Sequence, residues 1–128
     1  MSEANQQQLI RLEAPKHDTQ LLRNNSGACI DETGRLIRYG LGNDSKKLNA
    51  VFKSSDLIGF TSVTITPDMV GQKVAVFRAV EVKPLGWIHR PSDQRAAAQQ
   101  KFGDWVTQHG GLFQFATKPD EIDWRLTI

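Results

Sequence analysis

Glu81 and Lys83 stand in the apolar segment Val80-Glu81-Val82-Lys83, where charged side chains are unexpected. Residues two apart in a strand lie on the same face of a sheet, so both side chains leave the strand on one side. An unpaired charge in a low-dielectric interior is costly, and each group therefore needs a partner. The simplest interpretation is a Glu81–Lys83 ion pair at the point where the strand leaves the core.

A second carboxylate favours a functional interpretation of Glu81 and Lys83 over a simple ion pair. Asp56 comes at the start of the next extended segment upstream, Leu57–Thr66. If the two strands are neighbours, Asp56 stands beside Glu81, and two carboxylates held that close favour a divalent cation over mutual repulsion. Mg²⁺ suits such an all-oxygen site because it needs few protein ligands and keeps several waters. Lys83 would then orient a water or stabilise the charge on a phosphate.

Periodicity and turn residues predict the elements that must position these side chains. In chain order the pattern predicts a helix over 2–14, a strand over 20–23, a hairpin over 28–39, a helical turn over 46–52, a strand or a bent pair of strands over 57–66, a buried central strand over 74–83, a helix from a Ser92 cap to about His109, and a strand over 112–116. On the long helix, Ala98, Phe102, Trp105 and Val106 are predicted to face the sheet. The sequence thus predicts a mixed sheet flanked by helices in a single domain, 1–128.

Composition excludes several classes of protein. The 128 residues carry a formal net charge of +2, which is too small by itself to indicate nucleic-acid binding. One cysteine and three separated histidines exclude an internal disulfide and offer no usual zinc spacing. No apolar run is long enough to cross a bilayer, and the first residues lack the pattern of a signal peptide, so we expect a soluble protein that is neither secreted nor bound to a membrane.

The combination of Asp56 with Glu81-Val82-Lys83 resembles the core motif of the PD-(D/E)xK nucleases. Further segments are similar in order and spacing to the virus-type replication-repair nuclease domain, especially to stand-alone phage and prophage versions. These segments are 22–28, 37–42, 55–59, 79–83 and 99–102 followed by Gly110-Gly111. The resemblance covers residues 7 to 117 and implies a restriction-endonuclease-like αβββαβ core with metal-dependent phosphodiesterase activity on DNA.

By position, the resemblance assigns roles to individual residues. Asp56, Glu81 and the Val82 carbonyl would hold Mg²⁺ or Mn²⁺, and Lys83 would assist the attacking water. Gln99 matches the glutamine on the following helix, with Gln94 as the alternative. Relatives of this kind also imply a homodimer that favours four-way (Holliday) junctions, in the cytoplasm of a bacterial host that carries the phage or prophage.

Two further groups of residues are open to functional and structural interpretations. Candidates for contacts with the DNA backbone are Arg23, Asn24, Asn25, Arg38 and Lys53. A turn explains Asn24 and Asn25 equally well, and a basic residue taken singly is more often merely solvated. Trp87, His89 and Arg90 follow the Glu81 strand in a loop, where an aromatic ring would either stack on a splayed base or anchor the loop.

The sequence therefore predicts a divalent-metal-dependent DNA endonuclease that hydrolyses phosphodiester bonds, with branched DNA as its expected substrate. Two alternatives remain. The first is a catalytically inert DNA-binding or assembly module, in which Asp56, Glu81 and Lys83 form an ion-pair cluster. The second is a nuclease that acts on RNA.

Overall fold

A computed structural model describes residues 2–124, and these form a mixed α/β structure of small sheets and helices. They divide into two compact units, one up to Val63 and one from Thr64 onward. The hydrogen-bonded strand pairs of the described residues are three: two antiparallel and one parallel. The predicted α/β class is confirmed.

The first unit contains two antiparallel pairs and two helices. Its elements are α1 (Glu3–Glu13), β1 (Thr19–Arg23), β2 (Gly27–Ile30), β3 (Leu36–Tyr39), α2 (Lys46–Val51) and β4 (Leu57–Thr61), with a 3-10 turn at Ala14–His17. Strand β1 pairs with β4, and β2 pairs with β3 as the predicted hairpin. In the β1–β4 pair Arg23 lies opposite Leu57, so the end of β1 meets the beginning of β4.

The second unit is built on a strand–helix–strand segment. Its elements are β5 (Arg78–Val82), α3 (Gln94–Gln108) and β6 (Leu112–Ala116), with short 3-10 turns at Pro67–Met69 and Pro119–Glu121. Strands β5 and β6 are parallel, and Glu81 lies opposite Phe115. Helix α3 is the crossover between them, as parallel neighbours require. Its buried face packs on β6 and centres on Val106, which has no exposed surface.

Several predicted boundaries are wrong. Strand β4 stops at Thr61 rather than at residue 66, and β5 begins at Arg78 rather than at residue 74. Val74, in the segment before β5, is 54% exposed, because apolar and β-branched residues favour a strand only where a partner strand and a buried face are available. The cap of α3 is Asp93, whose carboxylate accepts the Ala96 N–H at 2.9 Å, and not Ser92.

The predicted inner face of α3 is only partly correct. Val106 is buried and Trp105 is half-buried, but Ala98 and Phe102 are exposed. The rings of Phe102 and Trp105 pack on each other at the side of the helix, with their centroids 5.7 Å apart.

None of the helices in the described residues has the length and apolar character needed to span a membrane.

Candidate functional site

Helix α3 brings Gln99 to the carboxylate at the end of β5. The side-chain amide of Gln99 donates a hydrogen bond from Nε2 to Glu81 Oε1 at 2.8 Å. Both residues are half-buried, whereas Gln94 lies exposed in the first turn of the same helix. The structure therefore places Gln99, and not Gln94, against the strand that carries Glu81. This contact restricts the rotation of the Glu81 carboxylate.

The other end of the Gln99 amide is buried without a partner. Its Oε1 atom has no hydrogen-bond donor among the described residues. Buried polar atoms are nearly always satisfied, and an exception in a native fold indicates an ordered water, an ion or a functional role. Next to Glu81 there is thus a buried acceptor oxygen that has no hydrogen-bond donor among the described residues.

The backbone next to Glu81 contributes a third oxygen. The Lys83 N–H donates to the Ala116 carbonyl at 2.8 Å and extends the parallel ladder by one residue beyond β5. Because alternate residues of a strand direct their peptide groups to opposite edges, the Val82 carbonyl points away from β6. Glu81 Oε2 and the Val82 carbonyl are oxygen donors of the kind that Mg²⁺ and Mn²⁺ prefer, so the residues present fit a hard cation.

Lys83 lies on aromatic rings instead of on Glu81. Its ammonium nitrogen is 5.3 Å from the centroid of the Trp87 ring and 5.7 Å from that of Phe115. In the described part of the chain Glu81 and Lys83 form no ion pair with each other, so the simplest sequence interpretation is wrong. Cation–π contact holds a lysine without neutralising its charge. The structure thus places the Lys83 ammonium on two aromatic rings, and not on the Glu81 carboxylate.

The positive charge of Lys83 also acts on Asp93, the residue that caps α3. The pKa of Asp93 is lowered, first by the hydrogen bond from the Ala96 N–H and further by the positive charge of Lys83 and a hydrogen bond from the Trp87 side chain. Asp93 is thus ionised at neutral pH and fastens the loop after β5 to the helix. Sequence reasoning missed Phe115 as a neighbour of Lys83 because that contact depends on the parallel β5–β6 register, and it missed Asp93 because that contact depends on the path of the loop between β5 and α3.

Asp56 lies in the first unit, on a loop organised by Asn24. The Asn24 N–H donates to the Asp56 carbonyl at 2.8 Å, and its side-chain amide donates to Ser54 Oγ at 2.7 Å and to the Ser55 carbonyl at 2.8 Å. The side-chain oxygen of Asn24 also accepts the Leu41 N–H at 3.2 Å. The structural interpretation of Asn24 is therefore sufficient: it positions the backbone that presents the exposed Asp56 carboxylate.

The remaining candidates for DNA contacts in the first unit differ in their exposure to solvent. Arg23, Asn25 and Lys53 are exposed. Arg38 is half-buried, and its guanidinium donates to the side-chain oxygen of buried Asn43 at 3.2 Å. Arg23 is the last residue of β1 and lies opposite Leu57, so it is adjacent to the strand that Asp56 precedes. Arg23, Asn25 and Lys53 are thus available to solvent, whereas the Arg38 guanidinium is hydrogen-bonded to Asn43.

Among residues 2–124 no cluster of three or more His, Cys, Asp and Glu side chains has the arrangement of a metal site. Comparison of the chain with protein-family models, with curated proteins and with solved structures found no match.

Proposed function

We propose that this chain is a divalent-metal-dependent endonuclease that hydrolyses phosphodiester bonds of DNA, on a core of the PD-(D/E)xK type. The observation that carries the proposal is the end of β5, where the Gln99 amide donates to the Glu81 carboxylate at 2.8 Å and Lys83 follows without an ion pair to Glu81. A carboxylate, an outward carbonyl and an ammonium within three consecutive residues form a compact set for binding a cation and a phosphate together.

In the proposed site Glu81 and the Val82 carbonyl hold Mg²⁺ or Mn²⁺. Asp56 enters as a further ligand from the sequence pattern. When bound, the metal lowers the pKa of a water and screens the charge of the phosphate. Gln99 keeps the Glu81 carboxylate in one orientation. The Lys83 ammonium donates a hydrogen bond to the attacking water or to a non-bridging phosphate oxygen and stabilises the negative charge that grows there.

Cleavage assays with matched variants test this function. Labelled linear duplex, flap, splayed and four-way-junction DNA are incubated with Mg²⁺ or Mn²⁺ and the wild type, D56A, E81A or K83A. We expect each variant to lose about 100-fold or more in rate, because each removes a group that acts on the metal or the phosphate. Thermal unfolding should stay near that of the wild type, since none of the three side chains is fully buried.

Exposed residues outside the proposed site provide the controls. D120A and K73A remove a carboxylate and an ammonium and should cleave like the wild type. Unchanged cleavage by E81A would refute the assignment. A wild type that binds DNA but neither takes up Mn²⁺ in calorimetric titration nor cleaves would instead establish the inert DNA-binding module.

A further inference from the structure

Three rings form a closed cluster beside Lys83. Trp87 and Phe115 have centroids 5.0 Å apart, Trp87 and His89 5.6 Å, and His89 and Phe115 5.3 Å. The imidazole of His89 is nearly parallel to the Trp87 ring, with 21° between their planes. Each ring touches the other two, and Phe115 belongs to β6, so the aromatic cluster packs the loop after β5 against that strand.

Burial separates the members of the cluster by role. Trp87 and Phe115 are half-buried, and Trp87 also hydrogen-bonds Asp93 at the start of α3. These two rings are sufficient to anchor the loop after β5. His89 is exposed, and it adds an outer aromatic layer that anchoring does not require. The cluster therefore includes one solvent-exposed ring, the His89 imidazole, packed on two half-buried rings.

A positive charge lies against the same rings. Lys83 Nζ is within 6 Å of the centroids of Trp87 and Phe115, the two rings on which His89 packs. Proteins that bind single-stranded nucleic acid combine these two features, with cationic groups for the backbone and aromatic faces for the bases. In the same loop Leu85 is 77% exposed and Ile88 68% exposed, and Arg90 is exposed next to His89.

We infer that His89, supported by Trp87 and Phe115, stacks on an unpaired DNA base whose neighbouring phosphate is bound at Lys83. The inference rests on the proposed nuclease function and specifies its substrate as DNA with a splayed or single-stranded nucleotide next to the scissile bond. A base inside a duplex offers no free face, so the platform selects against continuous duplex.

Binding without cleavage tests the platform. Fluorescence anisotropy in EDTA is measured with a short single-stranded DNA oligonucleotide and with an abasic oligonucleotide of the same length. We expect H89A to weaken binding of the base-bearing strand about 5-fold or more and to leave binding of the abasic strand unchanged. H89F keeps an aromatic face and should retain the difference between the two strands. I88A, an exposed change in the same loop, is the matched control and should behave like the wild type.

Each result has a definite meaning. Equal affinities of H89A and the wild type for the base-bearing strand would overturn the inference, as would an equal loss on both strands, which would indicate charge rather than stacking. Failure of the wild type to bind either strand would overturn the inference and leave the nuclease activity to be decided by the cleavage assays. Base-dependent binding by a wild type that cleaves no DNA would support the platform and refute only the nuclease activity.

Discussion

Gln99 occupies a position that a helix of this kind normally gives to an apolar residue. Ala96, Gln99, Gly103 and Val106 follow the three-and-four spacing of one helical stripe, and the other three members are buried. A polar side chain in such a stripe needs a specific reason, since burying an unsatisfied amide oxygen costs stability. The Glu81 contact satisfies the nitrogen end of the amide and leaves the oxygen end without a donor among the described residues.

Gln99→Ala should lower cleavage and Mn²⁺ affinity together by about 10- to 100-fold, the usual effect of removing a group that orients a metal ligand. Gln94→Ala, on the exposed first turn of α3, is the matched control and should change neither quantity. Cleavage rates and calorimetric Mn²⁺ titrations measure both effects. A larger loss in Gln94→Ala than in Gln99→Ala would contradict the assignment of the helix glutamine.

The family resemblance, and not a rule of local spacing, assigns Gln99 as the helix glutamine and leaves Gln94 as the alternative. The structure adds the hydrogen bond from Gln99 to Glu81. Lys83 is different. Its neighbour Phe115 is brought to it by a parallel pairing between distant segments, and single-residue patterns contain no information on that register.

At the scale of elements, the closest approach of α3 to β6 depends on Gly103. A Cβ atom added there would lie 2.1 Å from Cδ2 of Phe113, a distance that no side-chain carbon tolerates. The backbone of α3 at Gly103 therefore packs directly against the Phe113 ring. The hydrophobic pattern predicted that Phe102 faces the sheet, because such a pattern is based on apolar side chains. It gives no indication of a close backbone contact at a glycine.

Gly103→Ala should destabilise the protein by about 1–2 kcal/mol, because the strain of overpacking exceeds the gain of roughly 1 kcal/mol in helix propensity. The control on the same helix is Ala98→Gly, an exposed position that reports the propensity difference alone and should cost about 1 kcal/mol. Urea unfolding of the two variants gives both free energies. Stabilisation by Gly103→Ala equal in size to the loss in Ala98→Gly would show that Phe113 does not restrict the approach.

The ends of an element could be predicted where a turn or capping residue lies next to them in the sequence. The hairpin, α1 and β6 agree with the sequence pattern, because Gly, Pro and capping residues delimit them. The beginning of β5 was not predictable, since Val74 and Val76 have strand propensity but the ladder to β6 starts with the Phe77 carbonyl. Pairing, and not propensity, decides where that strand begins.

At the scale of the whole molecule, the sequence contains one Asp56…Glu81-Val82-Lys83 set, so each chain supplies one proposed site. One site cuts one strand at a time. Paired incisions across a two-fold symmetric DNA junction require two sites related by a two-fold axis, and a two-fold homodimer is the commonest arrangement that provides them. A formal net charge of +2 is small enough that two copies associate without strong mutual repulsion.

We therefore predict that the protein is a homodimer in solution and makes symmetric paired cuts in a mobile four-way junction. Light scattering at the assay concentration should give twice the mass of the chain, and mapping of the cut positions should place them at equivalent points on opposite strands. Mixing wild type with an excess of E81A before the assay should convert paired cuts to single nicks, because mixed dimers carry one competent site. A monomeric mass together with unpaired nicks would contradict the dimer and favour a protein that cuts flaps or single strands.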